Sequence, residues 1–306
     1  MERSRHPVLL YSLILFMVLG WSFNFVIAKA TLRYLDVWSF ASFRIILSGV
    51  LMLPIYFWTP RHTNFKRKDI WTFIVLGFFG VVVNRGLFIV GLDYTTAGHS
   101  ALIVAVGPIL ILVLARLQKL ETITLAKVLG MALSFAGVTI LIGGDELRLH
   151  GGTWVGDLIT IGGTLGFAIY TVMAKKVARH YDTISMNTFN NLAGAILLLP
   201  LGIRQAVRVD WGGITWEGWA GLAYAVLVSS VIAYLIFFWA LRHVSASRLA
   251  AFTYAETPIA MFLGVLLLGE KLTGTLLIGA SMILAGVYLA EFAPGRGEVP
   301  ADTAGA

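Results

Sequence analysis

The chain has 306 residues, 58% of them apolar and only 13% charged, with a mean hydropathy of +0.84. Soluble domains carry about 25% charged residues, so this composition excludes an ordinary soluble fold and makes lipid the solvent for much of the surface. The net charge of +7 comes from 23 Lys and Arg placed mainly between apolar runs; with no basic stripe, it excludes a nucleic-acid partner. The absence of cysteine excludes disulfides, thiol catalysis and Cys-ligated metals, and no metal or cofactor is expected.

In chain order, residues 1–7 form a short N-terminus. The first apolar run, 8–28, follows Arg3, Arg5 and His6 and is longer than a signal-peptide core of about 7–15 residues, so it reads as a retained helix. A membrane-crossing helix needs about 20 mostly apolar residues. On that criterion further spans are predicted at 37–58, 70–92, 97–115, 124–143, 153–174, 183–203, 217–241, 246–268 and 272–290. Residues 291–306, rich in Gly, Pro and Ala, read as a disordered tail. The fold class predicted is all-α integral membrane, with ten transmembrane helices.

Counting Lys and Arg per connection sets the orientation. With a cytoplasmic N-terminus, 15 fall inside and 6 outside, and Arg44 and Arg85 remain within spans. Both termini are therefore expected in the cytoplasm.

The chain also matches itself. At a shift of 146, eleven identities fall across positions 20–54: Gly20, Val26, Ala28, Lys29, Arg33, Asp36, Ser39, Phe43, Leu51, Leu53 and Pro54 meet Gly166, Val172, Ala174, Lys175, Arg179, Asp182, Ser185, Phe189, Leu197, Leu199 and Pro200. At a shift of 149, Glu121, Gly130 and Gly137 meet Glu270, Gly279 and Gly286, and one further step pairs Pro108 with Pro258. Repeat one is 8–143 and repeat two is 153–290. Each holds five helices, an odd number, so the two copies would enter the membrane from opposite sides. That is the inverted-repeat plan of secondary transporters, with a site at the midplane.

Charged and polar groups within spans need a reason, since each costs about 2.5–3.5 kcal/mol on insertion scales. Glu256, in Tyr254-Ala255-Glu256-Thr257-Pro258, suits a substrate ammonium or a proton, or else a structural hydrogen-bonded role. Arg44 and Arg85 suit bidentate capture of a carboxylate, or else snorkelling or pairing with a glutamate. Asn24 and its repeat mate Tyr170 sit midway through their spans, and Asn84 sits beside Arg85. Tyr170, Tyr234, Trp239 and Tyr254 suit an aromatic substrate or a cation cage, or else the lipid-facing belt. Lys29 and Lys175 read as interface anchors, and His99 as a wet terminal histidine. Pro108 and Pro258 fall mid-span as hinges; each removes a backbone hydrogen bond, to the carbonyls of Val104 and Tyr254. The glycine pairs Gly130/Gly137 and Gly279/Gly286, and Gly162/Gly166, read as helix packing.

Trp21-Ser22-Phe23-Asn24-Phe25-Val26-Ile27-Ala28-Lys29, Gly269-Glu270-Lys271-Leu272, and Gly279 followed by Ala285-Gly286 resemble signatures of the drug/metabolite transporter superfamily. In the first repeat the Gly-Glu pair is degraded to Leu120-Glu121. The resemblance covers roughly residues 8–290 and is strongest to the bacterial inner-membrane exporters of aromatic amino acids. It implies export of aromatic or other neutral amino acids by alternating access in the bacterial inner membrane. The partners expected are the lipid bilayer and a small-molecule substrate, and the chain is expected to work as a monomer. An organic-cation exporter using Glu256 and aromatic residues is the alternative. A membrane enzyme is disfavoured, because no paired aspartates, Ser/His dyad or metal set lies at depth.

Overall fold

The computed structural model describes residues 7–60, 63–94, 103–142, 154–256, 258–259, 262–263, 266 and 274–292. His99, the Gly269–Leu272 signature and residues 293–306 lie outside these, as does the side chain of Lys29. Among the described residues there are helices and turns and no strand. Five helices are long and apolar enough to cross a membrane by length and composition: Val37–Trp58, Arg67–Gly86, Trp154–Val177, Thr183–Arg208 and Trp216–His243. Shorter apolar helices cover Val8–Asn24, Gly107–Leu117, Leu125–Ile140 and Leu277–Ala290.

We number the helices α1 (Pro7–Thr31), α2 (Val37–Trp58), α3 (Ile70–Gly77) and α4 (Leu87–Tyr94), with a π-helical stretch, Phe78–Gly86, joining the last two. Then come α5 (Gly107–Leu117), α6 (Leu125–Ile142), α7 (Trp154–Val177) and α8 (Thr183–Arg208). Next, α9 (Trp216–Tyr224) and α10 (Ala233–His243) flank a second π-helical stretch, Ala225–Ile232, and α11 (Ala246–Thr253) and α12 (Gly274–Phe292) are the last two helices numbered among the described residues.

Polarity runs opposite to that of a soluble protein. Val8, Trp58, Trp71, Val207 and Trp216 are more than 70% exposed, while Asn187, Asn190, Asn191, Ser229 and Ser230 are fully buried. Lipid offers no hydrogen bonds, so polar side chains turn inward to find partners, and the outward Trp residues suit the interface belt.

The duplicated residues have local jobs. Asp36 caps α2 by accepting from Trp38 N (3.0 Å) and Ser39 N (3.1 Å). Its mate Asp182 caps α8 in the same way, from Ile184 N (2.9 Å) and Ser185 N (3.0 Å). Such caps satisfy donors that a helix start otherwise leaves orphaned. The matched Asp-x-x-Ser pattern therefore marks where the second helix of each repeat begins.

Packing exchanges the repeats in pairs. α1 lies on α9, α10 and the π-helical stretch between them, while α7 lies on α4 and the first π-helical stretch. α2 packs on its mate α8, and α6 on its mate α12. The glycine seam is real: a Cβ on Gly137 would stand 2.8 Å from the Gly279 carbonyl and 2.9 Å from Ile283 Cγ1. Only bare backbone allows that approach.

Three expectations change. Pro108 does not kink a continuous helix; it sits in the first turn of α5, after a turn at Ala105-Val106, where a proline's missing N–H is no loss. The predicted 246–268 span is interrupted in the same region. α11 ends at Thr253, Tyr254 and Ala255 form a turn, and helix resumes at Glu256. Lys175 is not a free anchor: its ammonium donates to the carbonyls of Val244 (2.7 Å) and Leu241 at the end of α10, where a cation complements the helix dipole.

Candidate functional site

A π-helix carries one residue too many per turn, which loosens the backbone and re-aims side chains. In the second stretch the consequences are visible. Trp21 Nε1 donates to the Ser229 carbonyl (3.1 Å) and Asn187 Nδ2 to the Val231 carbonyl (3.1 Å). The hydroxyls of Ser229 and Ser230 turn to α2, where they accept from Arg44 Nη2 (2.9 Å) and Nε (2.8 Å). Arg44 thus spans the two repeats through neutral partners, not through a glutamate. Beside it, Ser48 donates to Asn191 Oδ1 (3.1 Å) and Asn191 Nδ2 to Asn187 Oδ1 (2.7 Å).

The first π-helical stretch delivers Arg85. Its guanidinium carbon lies 4.2 Å from the centre of the Tyr234 ring on α10, the geometry of a cation–π contact. Arg85 and Tyr234 lie within electrostatic reach of Arg44, and both also reach Tyr170. Tyr234 packs with Trp21 (5.3 Å between centroids) and Phe237 (5.7 Å). Phe237 stacks on Tyr170 at 6.2 Å and 8°. Tyr170 passes so close to Gly80 that a side chain there would overlap its ring. Arg44, Arg85, Tyr170 and Tyr234 are therefore one cluster, with α1, α2, α7, α10 and both π-helical stretches contributing.

Several buried polar atoms have no hydrogen-bond partner among the described residues: Asn24 Oδ1, all three Arg85 guanidinium nitrogens, both side-chain atoms of Asn190, and the hydroxyls of Tyr170, Thr171 and Tyr254. Native proteins leave few such groups, and each asks for a reason.

The other nominated residues fall elsewhere. Tyr254 packs into a separate apolar cluster with Leu112, Met131 and Ile283, between α5, α6 and α12. Glu256 is half-buried and forms no ion pair with a described residue. Its main-chain carbonyl accepts from Ser22 Oγ (3.3 Å), which ties it to α1 next to Trp21. Asn84 neighbours Arg85, and its carbonyl faces Gly163 on α7. Trp239 packs against His243 one turn along α10, the rings tilted by 39°. Pro258 is buried just beyond the Tyr254-Ala255 turn. Sequence reasoning missed Trp21, Ser229, Ser230 and Phe237 as members of the cluster. Asn190, which lies 146 residues after Arg44 and is therefore its repeat mate, has no other signal in the sequence. Among the described residues no group of three His, Asp or Glu is placed to hold a metal.

At the end of the molecule predicted to be cytoplasmic, Glu121 meets Lys127 Nζ at 3.0 Å and accepts from Ser247 N (3.1 Å) and Ser247 Oγ. Burial alone would raise the Glu121 carboxyl. The Lys127 ammonium and the Ser247 hydrogen bonds outweigh it and hold the group below the ordinary carboxylate range. This contact ties the α5–α6 connection to the start of α11. The Thr63 amide donates to Asp182 Oδ2 (2.6 Å), and Tyr181 Oη donates to Asp69 (2.7 Å). Burial first, and the Asp69 carboxylate second, push the Tyr181 hydroxyl up to about 12.

Apolar helices turned outward, broken helices within, and a charged aromatic cluster where the repeats meet define a multi-pass membrane transporter. The EamA-like transporter family model matches twice, over residues 8–143 and 154–292. The chain belongs to this family, within the drug/metabolite transporter superfamily. Its relatives include the Bacillus subtilis transporter YyaM, itself uncharacterised, which is 29% identical across 90% of this chain and 92% of that protein. A WAT1-related chloroplastic protein of Arabidopsis thaliana is 24% identical across 90% of this chain and 68% of that one. A crystal structure superposes with a TM-score of 0.78 at 17% identity, covering 94% of this chain and 99% of its own, which speaks to the fold alone.

Proposed function

We propose that this transporter has ten spans in two inverted five-helix repeats, 8–143 and 153–290. It exports aromatic or other neutral amino acids from the cytoplasm across a bacterial inner membrane. In this reading the chain works as a monomer with both termini inside, and alternating access comes from rocking of the repeats about the central cluster. The observation that carries the reading is the Arg44–Arg85 pair beside the wall of Trp21, Tyr234 and Phe237. Guanidinium groups match a carboxylate, and the aromatic wall matches an apolar side chain. Two cations at that point oppose an organic cation as cargo. Glu256, just past the break after α11, is the residue assigned to the ammonium or to an exchanged proton. Pro108 and Pro258 flank the two breaks and serve as hinge points.

The test is counterflow in proteoliposomes made from the purified chain. Labelled phenylalanine should exchange against unlabelled aromatic amino acids and emerge chemically unchanged. Glu256→Gln should lower the flux or remove its pH dependence. Failure to exchange any neutral amino acid, with intact folded protein in the membrane, would defeat the proposal.

A further inference from the structure

The central cluster holds more positive charge than its surroundings use. Arg85 is 8% exposed, and its Nε, Nη1 and Nη2 meet no acceptor among the described residues. The contact it does make is the face of Tyr234. Arg44 rests on two neutral hydroxyls. No carboxylate of a described residue lies within 4.0 Å of either guanidinium, Glu256 included. Arginine does not deprotonate in proteins, so both charges persist. An uncompensated buried charge is destabilising, and at membrane depth it marks a ligand or ion path.

We propose that this site recognises the carboxylate of an aromatic organic acid, and that an α-ammonium group on the ligand is dispensable. The carboxylate supplies the acceptors that Arg85 lacks and neutralises the pair. The guanidinium fork accepts a planar two-oxygen group bidentately. The ring of the ligand lies against Trp21, Tyr234 and Phe237, which pack mutually at 5.3–5.9 Å. The inference rests on the amino-acid reading for the location of the site, and it widens the substrate class to deaminated aromatic acids. Glu256 makes no contact with the arginine pair, so nothing at the carboxylate handle demands an amine.

The experiment is calorimetric titration of the full chain in detergent micelles with three matched probes. These are L-phenylalanine, phenylpropionate (the same skeleton without the amine) and phenethylamine (the same skeleton without the carboxylate). Phenylalanine and phenylpropionate should bind within about threefold of each other, and phenethylamine at least about tenfold more weakly. Arg85→Gln and Arg44→Gln should each weaken both carboxylates by about tenfold or more. Arg85→Lys keeps the charge but not the fork, so it should fold and fall between wild type and Arg85→Gln. The proposal is overturned by phenethylamine binding as well as phenylpropionate, by carboxylate binding that survives loss of either arginine, or by no carboxylate binding in the millimolar range. Phenylpropionate that binds as described but does not cross proteoliposomes would defeat the transport reading and leave the carboxylate site standing.

Discussion

Replacing Glu121 by Gln removes one charge from a contact in which both side chains are under 10% exposed. Lys127 then keeps a buried ammonium with no counter-ion at 3.0 Å, and Ser247 keeps only a neutral acceptor. Breaking a buried pair by removing one partner costs about 3–5 kcal/mol. At roughly 2–4 °C per kcal/mol for a chain of this size, thermal unfolding in detergent should drop by on the order of 6 °C or more. The double variant Glu121→Leu with Lys127→Met should recover most of that, since apolar replacement of a buried pair is often neutral or better. The pair also has a pH signature. Glu121 titrates below its ordinary value of 4.5 in the folded chain, so its stabilisation is complete above 4.5. It fades as the pH falls through the lower folded-state value, and Glu121→Gln should flatten that acid limb. A Gln variant that melts within a degree of wild type, with the same acid limb, would refute the reasoning.

Two further outcomes follow from the packing and the orientation. Gly137→Leu should force α6 away from α12 and cost about 1–3 kcal/mol by overpacking, read as a lower unfolding temperature, whereas the same change at Gly274, where nothing lies within 4 Å, should be mild. Because the chain has no cysteine, Lys66→Cys should react with an impermeant maleimide only from the cytoplasmic face and Gly212→Cys only from the outer one; labelling of both from one side would overturn the orientation.

Much of the architecture is legible in the sequence because lipid imposes a coarse rule. Five helices of spanning length and several shorter apolar ones lie on apolar runs of the sequence, and the matched Asp36/Asp182 and glycine pairs mark helix starts and a backbone seam. The arginines stand out because charge within an apolar run is rare. Their partners do not. Ser229 and Ser230 look like ordinary small residues in an apolar segment, yet on the π-helical stretch both hydroxyls meet Arg44 of α2. Hydropathy has no signal for a π-helix, since it changes neither composition nor length. Nor does hydropathy signal the turn at Tyr254-Ala255, which sends the Tyr254 ring into the α5–α6–α12 core. A proline within an apolar run predicts a kink, and sequence alone does not show the turn at Ala105-Val106 that puts Pro108 in the first turn of α5 instead.

The duplicated halves have not stayed equivalent. The first supplies both central cations, Arg44 and Arg85, while the positions 146 residues later hold Asn190 and Val231. The second supplies the uncharged cradle of Ser229, Ser230 and Tyr234. Two copies of the first half would crowd four guanidiniums into a low-dielectric centre, where their repulsion is severe. Two copies of the second would bring none. A self-paired half is therefore no longer a workable ancestor state for this sequence, and joining the halves in one polypeptide fixes a one-to-one ratio that the site's charge balance requires.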